Sequence, residues 1–147
     1  MGNIGRFNAA IHRNAQSIIN CKLRDLDIRS GQQEFFYVIS KNEGISQKEL
    51  SNFLYVGKST TAKAVKNLVE NNYVKVERDE NDKRIHRLYL TQKGRETVPK
   101  IESVFLELMD IFTKDLSECE KDQTLTVLKK ILNTIYEEKN KLNSDID

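Results

Sequence analysis

Between Tyr73 and Leu90 the apolar residues of this chain alternate with polar ones, whereas everywhere else they recur every three or four positions. That change of period restricts the fold to helices interrupted once by a pair of strands. Tyr73, Val74 and Val76 mark the first strand, and Ile85, Leu88 and Leu90 the second. The segment between them, Arg78-Asp79-Glu80-Asn81-Asp82-Lys83-Arg84, is wholly polar and reads as the charged tip of a β-hairpin.

Upstream, Ile4, Phe7, Ile11, Ala15 and Ile18 form one apolar stripe of a first helix that ends between Cys21 and Leu26, before a turn at Arg29-Ser30-Gly31. A second, short helix fits Gln32 to Ser40, with Phe35, Phe36, Val38 and Ile39 for the core and Asn42-Glu43-Gly44 as its breaker. Ser46-Gln47-Lys48-Glu49 has the form of a capping box, so a third helix opens there with Leu50, Phe53 and Leu54 facing inward. A fourth begins near Lys58 or Ser59 and stops at Asn71-Asn72. Its expected buried stripe is Ala62, Val65, Leu68 and Val69, opposite Ser59, Thr60, Lys63 and Lys66. Two short helices joined by a tight turn, the second basic on its outer face, make a helix-turn-helix, and the hairpin directly behind it is a wing.

Downstream, Thr91 caps a helix running to about Leu116 on the stripe Ile101, Val104, Phe105, Leu108 and Phe112, with a kink or break expected at Pro99. A last helix spans roughly Lys121 to Asn140, with Leu125, Leu128, Ile131, Leu132, Ile135 and Tyr136 aligned. Together with the first helix, these carry more apolar surface than one small lobe can cover, which calls for a helical dimer interface. The fold expected is therefore mainly α with a small β-hairpin wing. A single domain over 1–147 would hold a winged helix-turn-helix lobe at 31–91, with dimerisation helices at 1–26 and 92–142.

Charge is distributed unevenly. Residues 1–95 hold 17 Lys and Arg against 10 Asp and Glu, and residues 96–147 hold 7 against 12. Positive charge gathered around a helix-turn-helix is the footprint of phosphate binding. Enzyme chemistry finds no support: there are only two histidines, His12 and His86, and no glycine-rich phosphate loop, no G-x-S-x-G and no metal-ligand cluster. No cofactor and no metal are expected. Cys21 and Cys119 lie 98 positions apart without CxxC spacing and read as small hydrophobes or surface thiols, with redox sensing as the alternative. With neither a membrane-length apolar run nor a signal-like leader, the expected location is the cytoplasm.

These elements, in this order, resemble the MarR family of bacterial and archaeal regulators from Ile4 to about Tyr136. Asp82-Lys83-Arg84, then Leu90-Thr91 and Gly94, match that family's D-x-R and L-T-x-x-G wing signature, and Lys58-Ser59-Thr60 looks like the start of its recognition helix. The run from Gly44-Ile45-Ser46-Gln47 through Asn72-Tyr73-Val74 has the same cadence. Two departures stand out. Gly57 replaces a frequent acidic residue, and Lys63 stands where arginine is common, so a guanine or phosphate contact there lacks the bidentate fork.

The resemblance implies a sequence-specific DNA-binding homodimer on a pseudo-palindromic operator, a repressor released by a small anionic or aromatic acid of phenolic type. In that scheme Ser59, Thr60 and Lys63 contact base edges and Lys58 and Lys66 phosphates, while Arg84 enters the minor groove, oriented by Asp82. Lys83 and Arg87 would add contacts to the DNA backbone, and His12 and Arg13 could meet an anionic ligand. The blander readings are a solvated hairpin tip, an ordinary helix surface, and an interface or surface role for His12 and Arg13. At the level of function, the rival is a winged helix that binds another protein. An oxidation sensor at Cys21 fits less well, since that residue lies only 12 positions before Gln33, closer than in the oxidation-sensing branch.

Overall fold

The computed structural model describes residues 2–144. The chain forms two compact units, Met1–Leu108 and Met109–Asp147. In the first, α1 (Ile4–Lys22) starts where the Asn3 side chain accepts the Arg6 amide at 3.2 Å. Only its C-terminal part is covered. Ile19 is buried and Leu23, just beyond the helix, almost completely so, whereas Ile4, Phe7 and Ile11 are exposed. Helix α2 (Gln32–Lys41) follows the left-handed Gly31 and sends Phe35, Phe36, Val38 and Ile39 into the core.

The Ser46–Glu49 capping box is present and starts α3 (Gln47–Phe53), with the Glu49 amide donating to Ser46 Oγ at 3.2 Å and the Ser46 amide to Glu49 Oε2 at 2.8 Å. Helix α4 (Lys58–Glu70) begins at Gly57. Both helices are rotated from the expected stripe. In α3 the inner face is Leu50, Ser51 and the partly covered Leu54, and Phe53 is 60% exposed. In α4 the buried residues are Thr61, Ala64, Val65 and Leu68, leaving Ala62 and Val69 exposed. One hydrogen bond accounts for both shifts. Ser51 Oγ donates to Thr61 Oγ1 at 2.6 Å inside the helix–helix contact, so two hydroxyls occupy positions that an apolar count would assign outward. The turn between them holds Tyr55 at φ 55°, left-handed backbone that costs a non-glycine residue roughly 1–2 kcal/mol.

Strands β1 (Val74–Arg78) and β2 (His86–Leu90) pair antiparallel, with Val74 opposite Leu90 and Arg78 opposite His86. The wing has a further partner that the apolar pattern did not announce. Gly44 N donates to Leu88 O at 2.8 Å and Leu88 N to Ile45 O at 2.9 Å, so residues 44–46 lie against β2 through an isolated antiparallel bridge. Buried Val74, Leu88 and Leu90 join Phe36, Ile39, Leu50, Leu68, Tyr73 and Ile101 in one core, with Tyr73 edge-on to Phe36 at 5.9 Å.

Thr91 caps α5 (Gln92–Thr113), its Oγ1 accepting the Gly94 amide at 3.0 Å. Of the kink or break expected at Pro99, the break is not found: the helix continues through the proline and ends three residues before Leu116. Buried Thr97, Ile101 and Val104 on either side of the proline offset the loss of one backbone hydrogen bond. In the second unit, α6 (Glu118–Ser144) starts earlier than its apolar stripe suggested, because Ser117 and Glu120 form another capping pair: the Ser117 amide donates to Glu120 Oε2 at 2.8 Å. None of its described side chains is buried, and Leu125, Leu128, Leu132 and Ile135 are exposed.

Candidate nucleic-acid interface

Burial of Thr61, Ala64, Val65 and Leu68 turns the opposite side of α4 to solvent. Lys58, Ser59, Thr60, Lys63 and Lys66 are all exposed there. Lys66 lies 3.7 Å from Glu70 one turn on, a solvent-exposed pair that contributes little and leaves the ammonium available. The amides of the first turn and the positive end of the helix dipole add to this charge at the N-terminus.

The wing tip is built around two aspartates with different partners. Asp82 grips Arg84: Arg84 Nε donates to Asp82 Oδ1 at 3.0 Å, Nη2 to Oδ2 at 2.9 Å, and the Arg84 amide to Oδ1 at 3.0 Å. Although doubly bonded, the Arg84 side chain remains 90% exposed, so the pair fixes the direction of a projecting guanidinium without covering it. Lys83 beside it is exposed.

Arg87 is held by contacts within the lobe. Its Nε donates to Asp79 Oδ2 at 2.5 Å and its Nη1 to the Gly44 carbonyl at 2.9 Å, bolting the hairpin to the loop that precedes α3. Asp79 went unnoticed in the sequence, yet it organises the tip, since its Oδ1 also accepts the Asn81 and Asp82 amides at 2.9 and 3.0 Å. Glu43 repeats the device at the base, taking both Nη atoms of Arg95 and the Leu90 amide. The only sequence signal for Asp79 was an acidic residue opening a polar turn, an Asx-turn former.

The Arg87 hydrogen bond and the two wing amides hold the Asp79 carboxyl at about 2, below its ordinary 3.8. A depressed carboxyl stabilises the folded form above its unfolded value and loses that contribution as pH falls through its folded value. The wing is therefore expected to weaken as pH drops from about 3.8 toward 2. Thermal melts across that range should show a steeper acid loss for the native protein than for Asp79→Asn, which lacks the titrating group.

His12 and Arg13 lie exposed on α1. Neither lines the cleft of about 420 Å³ at the α1–α2 connection, which is bordered by Asn20, Arg24, Asp27, Arg29, Gln33 and Asn71 among others. Cys21 and Cys119 are both exposed free thiols. Among the described residues no group of three or more His, Cys, Asp or Glu is gathered to hold a metal, and no helix is long and apolar enough to cross a membrane.

Comparison with known proteins gives a consistent answer. A model of the MarR family matches residues 34–85, the segment from α2 to the wing tip. The HTH-type transcriptional regulator BilQ of Clostridium symbiosum is 35% identical over 113 residues, 76% of this chain and 78% of its own. A MarR protein from Peptoclostridium difficile has the same fold at a TM-score of 0.87 and 32% identity, covering 96% of this chain and 92% of its own. A putative MarR family transcriptional regulator from Listeria monocytogenes, solved in complex with 26mer DNA, matches at a TM-score of 0.85 and 28% identity over 94% of this chain and 92% of its own.

Proposed function

The chain belongs to the MarR family of transcriptional regulators, DNA-binding winged-helix proteins that are not enzymes, and we propose that it works as a homodimeric repressor of a pseudo-palindromic operator. The observation that carries this reading is the pairing, within one lobe, of the exposed cationic face of α4 with the projecting Arg84 of the wing. Helix α4 enters the major groove, where Ser59, Thr60 and Lys63 meet base edges while Lys58 and Lys66 hold phosphates. Arg84 reaches the neighbouring minor groove, whose negative potential deepens over narrow A·T tracts. Lys83 adds a backbone contact. The Listeria neighbour, alike in fold and solved in complex with 26mer DNA, supports DNA binding.

Dimerisation is supported by the apolar faces the single chain leaves open, Ile4, Phe7 and Ile11 on α1 and Leu125, Leu128, Leu132 and Ile135 on α6. A second copy covers both, and two-fold symmetry then presents two recognition helices about one DNA turn apart. The effector is a small anionic or aromatic acid. The α1–α2 cleft suits it in size, and Arg24 and Arg29 offer cations at its edge, a better placement than His12 and Arg13.

Light scattering and hydroxyl-radical footprinting on the DNA upstream of the protein's own reading frame test this together. A species of twice the 17.1 kDa chain mass and two protected segments about ten base pairs apart are expected. A monomer on DNA, or one isolated footprint, would contradict the dimeric model.

A further inference from the structure

Ala62 stands exposed on α4. Helical spacing places it against Ser59 one turn before and Lys66 one turn after, both of them solvent-facing, as is Lys63 next in sequence. Its methyl group is left to solvent in the middle of a cationic, groove-facing patch. On a DNA major groove it has an apolar partner, because the C5 methyl of thymine is the apolar group among the base-edge atoms there. A one-carbon side chain also lets the helix backbone come close to the base edges, within reach for Ser59 and Lys63. Val69 is the other exposed apolar residue on this helix. It lies seven positions on, roughly 10 Å further along the axis, at the end away from the N-terminal turns that enter the groove.

We infer that Ala62 reads a thymine methyl group in each operator half-site and so sets one position of the sequence preference. The inference rests on the proposed major-groove binding by α4, and adds to it a contact made by a side chain with neither charge nor hydrogen-bonding group.

The test begins with duplexes enriched by the protein from a random-sequence pool. Each thymine in the enriched site is then replaced by deoxyuridine, which removes the C5 methyl and keeps every hydrogen-bonding group. Native protein is expected to bind about fourfold more weakly when one particular thymine per half-site is replaced, the effect of uncovering one methyl group. In Ala62→Gly and in Ala62→Asn that sensitivity should vanish, with thymine and deoxyuridine duplexes bound equally. Because the readout is a ratio within each variant, a general loss of helix stability cancels. Insensitivity of the native protein at every thymine overturns the inference while leaving DNA binding intact, and so does sensitivity that persists in both variants. Failure to enrich any duplex overturns the major-groove reading and the inference with it.

Discussion

Gly94→Ala is expected to lower the stability of the folded protein by about 2–3 kcal/mol, a large effect for one added methyl group. A Cβ at that position would lie 2.2 Å from the Tyr73 carbonyl oxygen and 3.4 Å from Leu90 Cβ. The oxygen cannot move aside easily, since it accepts the Thr91 amide at 3.1 Å, and Tyr73 is almost completely buried. The helix cannot retreat either, because Thr91 Oγ1 holds the Gly94 amide and also donates to the Asn72 carbonyl at 2.5 Å. Strain must therefore spread into the Val74–Leu90 pair at the base of the wing. Thermal melting should show a drop of roughly 5–10 °C, at about 2–4 °C per kcal/mol for a protein of this size. Gly57→Ser is the matched control. Nothing lies within 4 Å of a Cβ there, the backbone is extended, and serine at the N-cap of α4 should raise stability by a few tenths of a kcal/mol. An unchanged melting point for Gly94→Ala would show that α5 and the wing are less closely packed than described.

Arg84→Ala is expected to weaken operator binding by about tenfold to a hundredfold, within the roughly 1–3 kcal/mol typical of one well-placed arginine contact. Stability should not change measurably, because the side chain is 90% exposed and its one ion pair is with its own hairpin neighbour. Asp82→Asn separates direction from charge. It keeps the guanidinium but weakens the two-pronged grip on it, so an intermediate loss of affinity is expected. Anisotropy titrations on one duplex at fixed salt measure all three proteins. Equal affinities would place the wing outside the DNA contact and return Arg84 to the role of a solvated hairpin tip.

The residues that were legible in the sequence are those whose role is set by local periodicity or short-range chemistry. The switch to alternation at Tyr73 announced the hairpin, S-x-x-E announced α3, and Thr91 announced the start of α5. The same S-x-x-E pattern at Ser117–Glu120 went unread because the apolar stripe of α6 begins only at Leu125. The misplaced faces have a common origin. Assigning Phe53, Ala62 and Val69 inward assumes that only apolar side chains are buried, and the Ser51–Thr61 hydrogen bond breaks that assumption. Long-range polar contacts were out of reach altogether. Arg87 and Gly44 are 43 residues apart, and Glu43 and Arg95 are 52 apart, so neither spacing carries a local signature. This is why the sequence does not show that Arg87 ties the hairpin to Gly44.

The most direct test of the central claim, that the α4 face and the wing form a DNA-binding surface, is the salt dependence of binding to the protein's own upstream DNA, with a scrambled duplex of equal length as reference. A clear preference for the native duplex is expected, with a linear fall of log affinity with log salt, about a thousandfold or more between 50 and 200 mM if the dimer neutralises six or more phosphates. Affinity indifferent to salt, with no preference between the duplexes, would contradict the claim and make this winged helix a protein-binding module.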